Sequence, residues 1–209
     1  MPRRPAPDAD PVSALPSPAN VSPAGVPQVG VLYDASIEID PVLADGVALL
    51  RKRGVAVGGQ LQRFGARLPN GKRSMWLDDI ATGLTIRLDR PRGAGAIACM
   101  LDPDALARAA YLLQQTIAAG ADLVIINRFG NAEAEGRGTR AEFAEAICRG
   151  AAVLVAVRFN LLDDLEGFLG GPAHLLLPSP EAIADWGAHA ADRRRAEAAP
   201  GARLLALPG

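Results

Sequence analysis

Ala121-Asp122-Leu123-Val124-Ile125-Ile126-Asn127-Arg128-Phe129-Gly130 holds the most hydrophobic run of the chain and sets its fold class. Leu123–Ile126 is an unbroken aliphatic run with no polar alternation, the pattern of a strand buried on both faces of a parallel sheet. Upstream, Asp102-Pro103 is a helix start followed by Leu106, Ala109, Ala110, Leu113 and Ile117 at helical spacing, and Gly120 closes that helix. Downstream, Thr139 and Glu142 have capping-box spacing and open a helix carrying Phe143, Ala146 and Ile147. Val153–Val157 is another continuous apolar strand, His174–Leu177 a shorter one, and Ser179-Pro180-Glu181 starts a helix through Trp186. Toward the amino end, Val29–Tyr33 reads as a buried strand and Val55–Gln60 as a second. Between them lies a helix with Asp40 as N-cap, Pro41 at its first position and Gly54 at its end. Strands alternating with helices imply parallel βαβ units, so the expected fold is an α/β three-layer sandwich with a mainly parallel sheet.

Residues 61–89 have a different texture. Asn70-Gly71 is a strong hairpin signal, and Leu84, Ile86 and Leu88 alternate with polar neighbours. A small antiparallel hairpin insertion is expected there. Residues 1–28 contain eight of the 17 prolines and no periodic apolar pattern, so they read as a disordered Pro/Ala-rich arm. The folded domain is then 29–189, and 190–209, with Arg193–Arg195 and Pro200-Gly201, reads as a frayed helix followed by a loose tail.

Among 209 residues, 22 basic and 23 acidic side chains leave a net charge of -1, against the basic balance of a nucleic-acid-binding protein. Aromatics are 4% of the chain, so the core rests on Leu, Val, Ile and Ala. Cys99 and Cys148 sit in no metal-type cluster with His174 or His189, so no metal site is expected. No apolar run approaches the ~18 residues of a membrane span. Prolines follow Arg3 and Arg4 where a signal peptide would be apolar, and the protein reads as cytoplasmic.

In open α/β sheets ligands bind beyond the carboxyl ends of the parallel strands. That rule selects Asp34 beside Tyr33, then Gln60, Asn127 with Arg128, and Arg158 near Asn160. The densest candidate is the loop 127–138, where Gly130, Gly136 and Gly138 permit close backbone approach and Arg128 and Arg137 suit bidentate anion contacts. Glu133 and Glu135 are candidates for acid/base work or a metal. The alternative is a polar loop whose arginines and glutamates pair with each other. Arg90-Pro91-Arg92-Gly93-Ala94-Gly95 is a weaker anion-binding candidate, equally readable as a flexible connection, and Cys99 reads as an inert thiol.

Only Lys52 and Lys72 are lysine. A phosphate-binding loop needs G-x-x-x-x-G-K-[ST]. Lys52 lies inside a helix, Lys72 on the hairpin, and the connection Asp34-Ala35-Ser36-Ile37-Glu38-Ile39-Asp40 has no glycine and three acids. The chain has no Walker A loop.

The block Ala121–Gly138, with Gly58-Gly59-Gln60 and Cys99-Met100-Leu101-Asp102, resembles bacterial domain-of-unknown-function family 2478 over about residues 29–186. Genes of that family often neighbour molybdate-transport genes. More distantly, the block resembles the Walker-B region of thermophilic-type nucleoside-triphosphatases, with Asn127 and Arg128 where that type has Asp-Glu, and Gly130 and Glu133 retained. The resemblance implies a P-loop-NTPase-like fold in which NTP hydrolysis has been lost. Three readings follow. The first is a non-hydrolysing binding protein for a small anion, with a nucleotide or a molybdate-type oxyanion as ligand, in molybdenum metabolism. The second is a regulatory or scaffolding module acting on a protein partner. The third is a metal-dependent phosphate-ester or nucleotide enzyme using Glu133 or Glu135.

Overall fold

In the computed structural model, the described residues are 28–33, 37–68, 71–89 and 101–198. The proline-rich arm, Asp34, Asn70, the Arg90–Gly95 segment, Cys99 and the end of the tail lie outside them. The elements run β1 (Gln28–Tyr33), α1 (Ile39–Lys52), β2 (Val57–Arg67), β3 (Arg73–Asp79), β4 (Thr85–Arg87) and α2 (Pro103–Ala118). They continue with β5 (Leu123–Phe129), α3 (Asn131–Ala134), α4 (Arg140–Cys148), β6 (Ala152–Arg158), α5 (Leu162–Leu169), β7 (His174–Leu176) and α6 (Pro180–Ala198).

The continuous aliphatic runs do form the middle of the sheet. Its order is β4-β3-β2-β5-β6-β1-β7, with every pair from β2 to β7 parallel and β2-β3-β4 antiparallel. Leu123, Ile125 and Leu154 face one apolar layer with α1 and α6, packed on Leu43, Leu50 and Ile183. Val124, Ile126, Val153 and Val155 face the other, with Leu113 of α2, Phe143 of α4 and Leu165 of α5. Each central strand therefore has two dry faces, which its uninterrupted apolar sequence requires. The fold is an α/β three-layer sandwich with an antiparallel hairpin extension.

The extension is not a separate insertion. β2 pairs with β5 through Val57–Gly59 and then continues to Arg67, pairing with β3 from Gln60 onward. Gly59 sits at this handover with φ +103, and a Cβ there would strike the backbone of Ile125. A third small core, Leu77, Ile86, Leu88 and Ala109, seals the hairpin onto α2.

Several local expectations need correction. Helix α1 begins at Ile39 with Glu38 as N-cap, because the Asp40 carboxylate is turned to Arg128 rather than to the helix backbone. Asp102 does cap α2, accepting from the Asp104 N–H. Thr139 precedes α4 but makes no side-chain cap; at the start of α3 the Glu133 carboxylate instead accepts from the N–H of Gly130, the N-cap residue. Helix α5 was not expected. Helix α6 runs past 189 to Ala198, burying Ala190 and Ala191, with Arg195 paired to Asp122. The helix expected at the start of 190–209 is thus the end of α6.

Candidate functional site

The carboxyl ends of the parallel strands meet the amino end of α1 and the underside of the β2–β3 hairpin. They enclose a cleft of about 890 Å³. Glu38, Asp40 and Pro41 contribute from α1, Arg128 from β5 and Arg158 from β6; Arg63, Phe64, Lys72, Arg73 and Asp78 come from the hairpin. Ile37, Ile39, Leu61, Met75 and Leu101 supply apolar wall. Among the described residues, five cationic and three acidic side chains line this space, a positive balance in a chain that is almost neutral overall.

Arg128 is the central cation, and the backbone explains how it gets there. β5 and β6 keep register from Leu123 to Ile126 and then shift, so that Asn127 and Arg128 together oppose one residue of β6 before Phe129 pairs with Val157. This is a bulge, a device that re-aims side chains at a sheet end. The Asn127–Arg128 peptide bond within it is cis. Arg128 donates to the Asp40 carboxylate at 2.6 Å, with the two side chains only 18% and 15% exposed. Burial raises the Asp40 carboxyl above its ordinary value, and the Arg128 charge and hydrogen bond pull against that rise. Asn127 stands close enough to Asp40 to favour its ionised form. Neither polar atom of the Asn127 amide, however, has a hydrogen-bond partner of good geometry, although both are buried.

On the hairpin, Arg73 donates to the carbonyls of Phe64 and Gly65, and Arg63 pairs with Asp78 at 2.6 Å. These bonds hold two guanidiniums at the cleft margin, and Lys72 follows the turn into the same space. The lysine that the sequence places on the hairpin turn, outside any Walker A loop, is therefore part of the lining.

The strand-end candidates divide. Arg128 and Arg158 line the cleft, and Asn127 lies beside Asp40 beneath it. Gln60 does not reach it: β2 continues past that position, and the buried Gln60 amide donates to the Ala109 carbonyl at 2.6 Å. The glycine-rich loop does not line the cleft either. Glu133 is buried, its Oε2 accepting from the Gly130 N–H and its Oε1 from the Thr139 N–H, each at 3.0 Å. Arg140 donates to the Glu133 carbonyl. Gly138, at φ +64, leaves the space that the Glu133 carboxylate fills. Arg137 pairs with Glu135 on the exposed rim. A buried carboxylate with each oxygen tied to a backbone N–H acts as a loop staple, and these bonds hold Glu133 in the loop rather than in the cleft. Among the described residues, no group of three or more His, Cys, Asp or Glu side chains is placed to hold a metal.

Sequence reasoning missed Asp40 as a site residue, and with it Arg63, Phe64, Lys72 and Arg73. Their one visible signal was the charge of the hairpin, Arg63, Lys72 and Arg73 flanking Asn-Gly, which a turn explains equally well.

This three-layer α/β architecture has a counterpart among solved structures. It is similar to the solution structure of a human cancer-related nucleoside triphosphatase, with a TM-score of 0.55 and 14% identity over 78% of this chain and 97% of that one. The chain belongs to the family described as "Protein of unknown function (DUF2478)", which matches residues 29–186. It is also similar to the molybdenum import ATP-binding protein ModC 2 of Bradyrhizobium diazoefficiens, 36% identical over 156 residues. That alignment takes in 75% of this chain but spans only 17% of the length of the relative. No helix among the described residues is long and apolar enough to cross a membrane.

Proposed function

We propose that this chain is a cytoplasmic, non-hydrolysing binding protein for a small phosphorylated or nucleotide-like anion, with a role in molybdenum metabolism. The observation that carries the reading is the convergence of Arg63, Lys72, Arg73, Arg128 and Arg158 on one cleft at the carboxyl edge of a parallel sheet. Guanidiniums pre-positioned by Asp40 and by the hairpin carbonyls can meet an oxyanion without first being ordered.

The charge arrangement also supports binding without the usual phosphate loop. Glu38 and Asp40 occupy the amino end of α1, the place where backbone N–H groups would otherwise cradle a phosphate. Anionic groups are disfavoured there and favoured across the cleft, against Arg128, Arg158 and the hairpin. Pockets of 300–1,000 Å³ typically hold drug-sized ligands, and a cleft of about 890 Å³ suits a nucleotide-sized molecule. A bare tetrahedral oxyanion would occupy a corner of it. The likeness to a molybdenum import ATP-binding protein supports the metabolic setting. Isothermal titration with ATP, ADP, AMP, phosphate, molybdate and tungstate tests the reading. Saturable binding of a nucleotide or oxyanion is expected; no heat and no thermal stabilisation from any would refute it.

A regulatory role through a protein partner is the second reading, favoured by one observation: the matched region is a minor part of a much longer relative. Pull-down of a partner that survives Arg128→Ala and Arg158→Ala, without ligand binding, would favour it. Metal-dependent catalysis by Glu133 has no comparable support, given the staple described above.

A further inference from the structure

The cleft has an aromatic component that charge alone does not account for. In a chain with five phenylalanines, Phe64 is the one placed on the cleft wall, and it is 36% exposed. The Arg73 and Arg128 guanidiniums stand 5.6 and 6.0 Å from its ring centroid. Elsewhere the Arg140 guanidinium covers the ring of Phe168 at 4.4 Å, a closely capped, partly buried ring of α5 packed on Phe143 of α4. By that comparison neither arginine caps Phe64 closely. Both are held by other bonds, Arg73 on the Phe64 and Gly65 carbonyls and Arg128 on Asp40. Met75 lies directly across the hairpin from Phe64 and shares the cleft wall. An apolar ring left partly open, flanked by fixed positive charges, matches a ligand that is itself a planar ring joined to an anion.

We propose that Phe64 is a stacking platform for the ring of a nucleoside phosphate, whose phosphate lies against Arg128 and Arg73. This rests on the anion-binding reading above and adds which class of anion the site prefers. Ring stacking on an aromatic side chain is insensitive to base identity but strongly sensitive to whether a ring is present. A phosphate without a ring would find the cations and leave Phe64 unused.

The test is calorimetric titration of the full chain with AMP, GMP and ribose 5-phosphate. AMP and GMP should bind about tenfold more tightly than ribose 5-phosphate. Phe64→Ala should erase that preference while leaving ribose 5-phosphate affinity within about threefold, and Phe64→Tyr should retain it. Phe64 is half-exposed, so circular dichroism should show both variants folded. Equal affinity for AMP and ribose 5-phosphate overturns the platform but leaves an anion site standing. A preference that persists in Phe64→Ala overturns it too, by placing ring recognition elsewhere. Absence of binding by all three probes refutes the platform, and molybdate or tungstate binding would then show whether the anion reading itself survives.

Discussion

Glu133→Gln separates a structural role from a catalytic one. In the native loop the carboxylate accepts from Gly130 N–H and Thr139 N–H at 3.0 Å, with the Thr139 hydroxyl at 3.4 Å. Glutamine keeps one carbonyl oxygen but turns an NH2 group toward one of those donors. One charge-assisted bond is lost and a buried donor is left facing a donor. A hydrogen bond to a charged group contributes about 1.5–3 kcal/mol, so the expected cost is about 2 kcal/mol. For a chain of this size each kcal/mol moves the midpoint by about 2–4 °C, giving a fall of about 4–8 °C in thermal unfolding. Because the staple lies away from the cleft, affinity for any ligand bound there should stay within about threefold. An unchanged melting temperature would refute the staple. An unchanged melting temperature together with lost ligand turnover would instead restore Glu133 as a catalytic group.

Other perturbations probe the site and its frame. Asp40 and Asp89 should respond to pH in opposite senses. Burial raises the folded-state value of Asp40, so the native state holds a proton that the unfolded chain has released; wild-type stability relative to Asp40→Asn should fall as pH rises from about 3.8. Asp89, held below its ordinary value chiefly by the Arg87 hydrogen bond, should stabilise relative to Asp89→Asn at neutral pH and lose that advantage as pH falls through its depressed value. Urea midpoints across pH 2.5–7 check both slopes. Gly59→Ala forces a side chain onto the Ile125 backbone at positive φ and should cost more than ~2 kcal/mol, read as a drop in urea midpoint. Ending the chain at His189 removes buried Ala190 and Ala191 and the Arg195–Asp122 contact, and should lower the melting temperature by about 4–8 °C.

The parallel sheet was legible because a strand with two dry faces has to be apolar throughout, and Leu123–Ile126 and Val153–Val157 are. The strand-end rule likewise picked out Arg128 and Arg158, which line the cleft, from local sequence alone. Gln60 lies off the cleft because β2 does not end there, and the switch from a parallel to an antiparallel partner leaves no break in β character. Helix α5 was readable in retrospect: Leu162, Leu165, Phe168 and Leu169 have helical spacing, and Gly170 closes the helix at φ +74. The loop 130–138 looked richest in chemistry because charge density is visible in sequence, whereas the mutual pairing of those charges is not. The cleft itself depends on the hairpin standing over α1, which brings Arg63 and Arg73 near Asp40 and Arg128 across long stretches of chain. No local pattern encodes that approach.

An anion site at the strand ends is tested by calorimetric titration of the full chain with ADP, comparing wild type with Arg128→Ala and Arg158→Ala. Saturable binding to one site is predicted, weakened roughly 10-fold or more in each variant, since a guanidinium–oxyanion bond contributes about 1.5–3 kcal/mol. Arg158 is exposed, so its variant keeps the fold intact and isolates the charge. Binding that is indifferent to both substitutions would contradict the account.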